Sequence, residues 1–359
     1  MKKPRLSRKV KKHLPLMVSI IVGAVIGALC AVFEVYDTAL LAVVFLFLAF
    51  FLQLILHEGG PLIGGLLSGY RFESFRIGGV LLTKINGRLR LRWMPVAGTG
   101  GQCLLSPPDC TPAEAPYFIY HAAGSAMNVF SALLHVPLVF VSGAVRVYAV
   151  CMIVAGVYFG ILNGLPLHVQ GIDNDGMNIK NMQKDPALRT VIFRQLQINA
   201  AMSTGRRLRD MPAEWFETYD HAHLHGALLF CRQVDAGAYD EALSYGQMLL
   251  RNRKMNRIHR GAILNDVETL KLLKGLPVFA ESEYLKAYRK SMAYDPAVQR
   301  ARFVRALLKD RDEAAAEKIH KQFEHACRRS PVPASNASEI ALIAAARARY
   351  DEIKQTEGA

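Results

Sequence analysis

Four stretches of this chain are long and apolar enough to cross a lipid bilayer, and they limit the fold more than any other feature. They cover about residues 14–33, 39–67, 118–141 and 147–167, the second being most apolar up to residue 56. A bilayer core takes about 20 residues of helix. Inside it the backbone finds no water, so each spanning segment must satisfy its own N–H and C=O groups as a helix. The sequence therefore predicts an α-helical polytopic membrane protein with about four transmembrane helices. The membrane-embedded domain occupies 14–183, after a basic segment at 1–13. A charged, Ala- and Leu-rich helical domain follows at 184–359. The overall composition, 52% hydrophobic and 21% charged, averages these unlike parts.

Charge orients the segments. Seven of the first twelve residues are Lys or Arg. The connection at 34–38 carries no Lys or Arg and the one at 142–146 carries a single Arg, whereas 68–116 holds Arg71, Arg76, Lys84, Arg88, Arg90 and Arg92. By the positive-inside rule both termini and the long loop are cytoplasmic. The expected location is the cell membrane, with the lipid bilayer as a partner. The net charge of +14 is thus explained by membrane flanks, and nucleic acid is not expected as a partner. A cleavable leader would also begin with basic residues, but the apolar region here is too long and no small-residue cleavage site follows it.

The loop at 68–116 has structure of its own. Residues 72–77 and 80–93 alternate apolar with polar side chains, with turn signals at Gly78-Gly79 and at Asn86-Gly87, the favoured hairpin dipeptide. A small β-hairpin at the membrane surface is expected. Gly98-Thr99-Gly100-Gly101 lacks the Lys-Ser/Thr of a phosphate loop and reads as a turn. The six cysteines, at 30, 103, 110, 151, 231 and 327, form no paired zinc-ribbon spacing and read as free thiols.

Asp185-Pro186 is a good helix start, and the chain reads as helical almost to its end. Asp-Glu-Ala recurs at 240 and 312, an interval of about two repeats of the tetratricopeptide kind. A helical array and an ordinary all-α domain both fit. Such arrays present binding surfaces, so a protein partner is expected for this domain. The cluster of His221, His223 and His225 reads as a surface helix pair.

Within the apolar segments, ionisable residues are costly and mark functional sites. The second segment carries His57-Glu58-Gly59-Gly60-Pro61. On a helix, H-E-x-x-H sets two imidazoles one turn apart, where both bind zinc, and leaves a carboxylate beside the metal. Here the first His and the Glu are present, and Pro61 stands where the second His would be. The third segment holds Gly124-Ser125-Ala126-Met127-Asn128, a close-packing pattern with one amide able to bond across helices. The fourth ends at Asn163-Gly164-Leu165-Pro166 and leads to Asp173-Asn174-Asp175-Gly176.

These pieces together resemble the site-2 proteases, which are intramembrane zinc metallopeptidases. The resemblance covers residues 40–180. It rests on His57-Glu58 at the inner end of a membrane helix and Phe72-Glu-Ser-Phe-Arg-Ile-Gly in a surface strand. Gly124-x-x-x-Asn128 and Asn163-x-x-Pro166 before Asp175-Gly176 complete it. It implies that His57 and Asp175 ligate zinc and that Glu58 is the general base. Asn128 and Asn163 would hold substrate or the developing oxyanion. The implied substrate is a membrane-anchored peptide or protein, cut near the cytoplasmic face.

Pro61 is the departure from the family. Catalytic zinc takes three protein ligands plus water, and proline can neither ligate nor donate an N–H to the His57 carbonyl. His168, just past Pro166, is the candidate replacement ligand, and Asp173 lies two residues before Asp175. His121 and His135 lie in the third segment, His135 toward its outer end. Two readings follow: a working zinc metallopeptidase, or a catalytically inactive member that binds membrane segments or partners without cleavage. A small transporter with a broken helix lacks the two related halves and leaves His57-Glu58 unexplained.

Overall fold

The computed structural model describes residues 36–95, 100–169, 172–217, 222–252, 255 and 257–357. The basic segment 1–13, the predicted span 14–33 and the side chains of the 221–225 histidine cluster lie outside them. Three helices among the described residues are long and apolar enough to cross a membrane: 39–67, 117–140 and 144–164. The first belongs to α1 (Tyr36–Leu67), the second to α2 (Tyr117–His135) with a 3-10 turn (Pro137–Phe140), and the third is α3 (Ala144–Gly164). Their large apolar side chains point outward as well as inward. Leu40, Phe47 and Leu133 are 75%, 76% and 63% exposed, as suits helices surrounded by lipid.

The chain divides into two compact units, whose boundaries along the sequence fall within α1, α2 and α3. In the first, residues 36–53 pack against 128–159. Its centre is polar. Asn128 donates to the backbone and side-chain oxygens of Gln53 at 2.8 and 2.7 Å. Gln53 in turn donates to Ser131 Oγ at 3.1 Å and to the Met152 carbonyl at 3.2 Å. Gln53 and Asn128 are fully buried. One amide chain therefore ties α1 to α2 and α3, where an apolar surround offers no competing water. Edge-on rings, Phe45 on Tyr148 and Phe50 on Phe159, fill the space beside it.

The second unit contains residues 54–127 and the chain from 160 onward. Its sheet is larger than the expected hairpin. The strands β1 (Arg71–Ile77), β2 (Val80–Ile85), β3 (Arg88–Trp93) and β4 (Gly101–Ser106) form one antiparallel sheet in the order β3-β2-β1-β4. The β2–β3 turn is Asn86-Gly87, both at positive φ (48° and 76°), as a tight hairpin of this hand requires. Cross-strand pairing of Val80 with Trp93 and Leu82 with Leu91 gathers these four side chains on one exposed apolar face.

Beyond the membrane segments, a short ladder of β5 (His168–Val169) and β6 (Ile172–Asp173) leads into α4 (Asp175–Lys184) and α5 (Pro186–Ser203). Asp185 caps α5 by accepting from the N–H groups of Ala187 and Leu188. Leu196 of α5 packs on Tyr70, Cys103, Leu105 and Tyr120, and Ser203 Oγ donates to Glu73 of β1.

The remaining helices are α6 (Ala222–Asp235), α7 (Tyr239–Leu250), α8 (Arg257–Leu273), α9 (Glu283–Ser291), α10 (Pro296–Val304), α11 (Glu313–Arg329) and α12 (Pro333–Glu357), with a π turn (Arg305–Lys309) after α10. Among the described residues they form three successive hairpins and a final single helix; the hairpins' first helices and that last helix begin at 222, 257, 296 and 333, intervals of 35, 39 and 37 residues. Both Asp-Glu-Ala triplets fall at helix starts, two hairpins apart. Arg300 of α10 is fully buried and joins three of these helices at once. It donates to Asp266 of α8 at 2.5 Å, to Thr269 of α8 at 2.5 Å and to Glu339 of α12 at 2.8 Å.

Removing one member of a buried ion network strands its partners, at about 3–5 kcal/mol. Arg300→Ala should therefore destabilise the helical array by about that amount. Thermal or denaturant unfolding of the full chain in detergent would register it. A change of less than about 1 kcal/mol would show that Asp266 and Glu339 do not depend on Arg300.

Candidate metal centre

The second unit holds His57, Glu58, His121, Asn163, His168 and Asp175. His57 and Glu58 sit in α1, four and three residues before Pro61, and α1 runs through that proline to Leu67. Proline removes the N–H that would close on the His57 carbonyl. Helix α2 comes close enough there to shield the gap. A Cβ built on Gly124 would lie 2.9 Å from the His57 carbonyl oxygen and 2.7 Å from Cε1 of its ring, and one on Gly60 would lie 2.3 Å from the Ala123 oxygen. Only glycine at both positions permits this approach, and such small-residue contacts are the ordinary way membrane helices meet.

Glu58 points the other way, onto the start of β4. A Cβ on Gly101 would fall 2.7 Å from Glu58 Oε1, and the backbone N–H of Cys103 hydrogen-bonds the carboxylate. Arg76, almost fully buried in β1, donates to the carbonyls of Gly78 (2.7 Å) and Gly101 (3.4 Å). It fixes the strand on which Glu58 rests and adds a positive charge to its surroundings. The wall behind Glu58 is thus a strand that sequence reasoning did not find.

Asp175 reaches His57 because Asn174 repairs the end of α3. Pro166 has no N–H for the Leu162 carbonyl, four residues earlier. Asn174 Nδ2 donates to that carbonyl at 2.5 Å and to the Leu165 carbonyl at 2.6 Å. Its Oδ1 accepts from the N–H groups of Leu167 (3.0 Å) and Met177 (2.9 Å). The second of these bonds caps α4. Asp175, the first residue of α4, is thereby held against α1 and α2.

The carboxylate of Asp175 faces two imidazoles. Oδ2 lies 3.3 Å from Nε2 of His57, and Oδ1 lies 3.3 Å from Nδ1 of His121. Both rings are nearly buried, with side chains 11% and 12% exposed. Burial alone would push the Asp175 carboxyl up, but hydrogen bonds from His121 and His57 hold it down to about 2. His121 Nε2 is buried with no hydrogen-bond partner among the described residues.

The other candidates are placed elsewhere. His168 is 64% exposed and ion-paired with Asp173, its partner across the β5–β6 ladder. Asn163 is half-buried in the last turn of α3. Asn128 belongs to the first unit, where both N–H groups of its amide are donated to Gln53. That amide acts as a weld between helices.

The donor types suit zinc, which takes imidazole and carboxylate ligands. The spacing suits it as well. Two ligands on a tetrahedral ion with bonds of 2.0–2.1 Å lie about 3.3–3.4 Å apart, the separation of each imidazole nitrogen from Asp175. Among the described residues no group of three or more His, Cys, Asp or Glu is already arranged to hold a metal ion; His57 and His121 address different oxygens of Asp175. Comparison with known proteins finds no matching family model, curated protein or solved structure.

Asn174→Ala would leave the Leu162 and Leu165 carbonyls and two N–H groups without partners, at about 1–3 kcal/mol for a buried group. The variant should unfold at lower temperature in detergent than the wild type. An unchanged melting temperature would show that other groups close the break at Pro166.

Proposed function

We propose that this chain is a site-2-protease-like intramembrane metallopeptidase that hydrolyses membrane-anchored peptides. The observation that carries the reading is the meeting of His57 on α1 with Asp175 on α4 at 3.3 Å, with Glu58 adjacent. An apolar helix has no packing reason to bring two acids and an imidazole together at such depth. In this reading His57 and Asp175 hold a zinc ion, which supplies Lewis acidity at the scissile carbonyl when bound.

The chain's own residues do the rest. Glu58, braced by Gly101 and the Cys103 N–H, takes a proton from the attacking water at its carboxylate and returns it to the leaving amine. Asn163 is the remaining amide for the substrate carbonyl. The exposed apolar face of β2 and β3 suits contact with lipid or with an apolar substrate segment. The intervals of 35, 39 and 37 residues between those helix starts match an array of the tetratricopeptide kind, which would receive a protein partner. Both termini are assigned to the cytoplasm of a cell-membrane protein, on the distribution of Lys and Arg.

The second reading is an inactive relative that binds membrane segments without cutting them, and Pro61 favours it. The two separate in one assay. The full chain in detergent is given a single-span peptide, and cleavage is followed by mass spectrometry. If the proposal holds, Glu58→Gln lowers the rate by about 10²–10⁴-fold while retaining zinc, and Asp175→Ala loses both zinc and cleavage. Peptide binding without cleavage, unaffected by Glu58→Gln, would establish the inactive reading.

A further inference from the structure

We infer that His121 of α2 supplies the metal ligand that α1 lacks at Pro61, so that His57, His121 and Asp175 make a two-imidazole, one-carboxylate zinc site. This rests on the metallopeptidase reading and changes its outlook, since it restores the count of three protein ligands that catalytic zinc takes.

Position comes first. His121 lies three residues before Gly124 and therefore on the same face of α2, the face that meets His57 at closest approach. An imidazole leaving α1 at position 61 would have to be replaced from an element packed on that side of His57, and α2 is that element. His168, the replacement expected from sequence, is on an exposed ladder and already faces Asp173.

The environment of His121 agrees. Its ring is 12% exposed, and Nδ1, the ring nitrogen on the side of the carboxylate, stands 3.3 Å from Asp175 Oδ1. One carboxylate thus carries an imidazole on each of its oxygens, from two different helices.

The signal was available in the sequence only in part. His121 is a second histidine in an apolar span, but without the crossing at Gly124 nothing ties it to His57 rather than to any other helix face. In this view Pro61 marks a ligand that has moved from one helix to the next.

The test measures zinc per chain, and zinc affinity by competition with a chelator, on the full chain in detergent. Wild type, His121→Asn, Pro61→His and the double variant Pro61→His/His121→Asn are compared. Wild type should carry about one zinc. His121→Asn can still donate a hydrogen bond to Asp175 but offers no imidazole, and should lose at least about tenfold in affinity. The double variant should regain zinc, which also shows that position 121 tolerates Asn without unfolding. With cobalt(II) in place of zinc, the visible absorption of a four-coordinate ion should weaken in His121→Asn and return in the double variant.

Zinc retained by His121→Asn at wild-type affinity would overturn the inference and leave the metallopeptidase reading standing. Zinc bound by Pro61→His but not by wild type would overturn it too, in favour of the inactive reading. No zinc in any of the four proteins would sink the metallopeptidase reading itself.

Discussion

The side chain of Asn174 is the interaction on which the rest of the site depends. Pro166 ends α3 and leaves the Leu162 carbonyl without its helical donor. One amide satisfies that carbonyl and the next, while its oxygen caps the helix that follows. The break and the restart are thus held by four bonds from one residue, and the next residue, Asp175, is the one that meets His57. Were the break closed by water instead, the first turn of α4 would be free to shift, and an ångström matters to a group that must face two rings.

The same rule governs the other polar groups within the apolar helices. Gln53, Asn128, Ser131 and the Met152 carbonyl satisfy one another in the first unit, and at Pro61 glycines let α2 cover the opened carbonyl. At both prolines a neighbouring segment covers the opened carbonyl, as the cost of unmet hydrogen bonds in an apolar medium demands. His121 Nε2 and Ser125 Oγ, both on α2, are buried with no hydrogen-bond partner among the described residues.

Much of this was legible in the sequence because it depends on local rules. Apolar length marked the three described spans, Asn86-Gly87 marked its turn, and Asp185-Pro186 marked the start of α5. His57, Glu58 and Asp175 were legible because ionisable groups in or beside apolar runs are rare. β4 was missed because Gly98-Thr99-Gly100-Gly101 reads as loop and the strand after it is short. Its pairing with β1 joins residues 26 to 35 apart in the chain, from Arg76 opposite Gln102 to Arg71 opposite Ser106, and no local pattern encodes that. Asn174 shows no local sign of its role, since its partners lie up to twelve residues away on the far side of Pro166. His121 needed a helix crossing, and crossings are set by which small residues happen to face each other.

The packing of α5 on the sheet has a consequence for how the chain can be divided. Leu196 covers the cluster of Tyr70, Cys103, Leu105 and Tyr120, and the same Cys103 presents its N–H to Glu58. A cut at residue 184 would uncover that cluster and loosen the wall behind Glu58. The helical region after the membrane segments is therefore a part of the frame around the buried carboxylate, and the chain has no dispensable tail at that point.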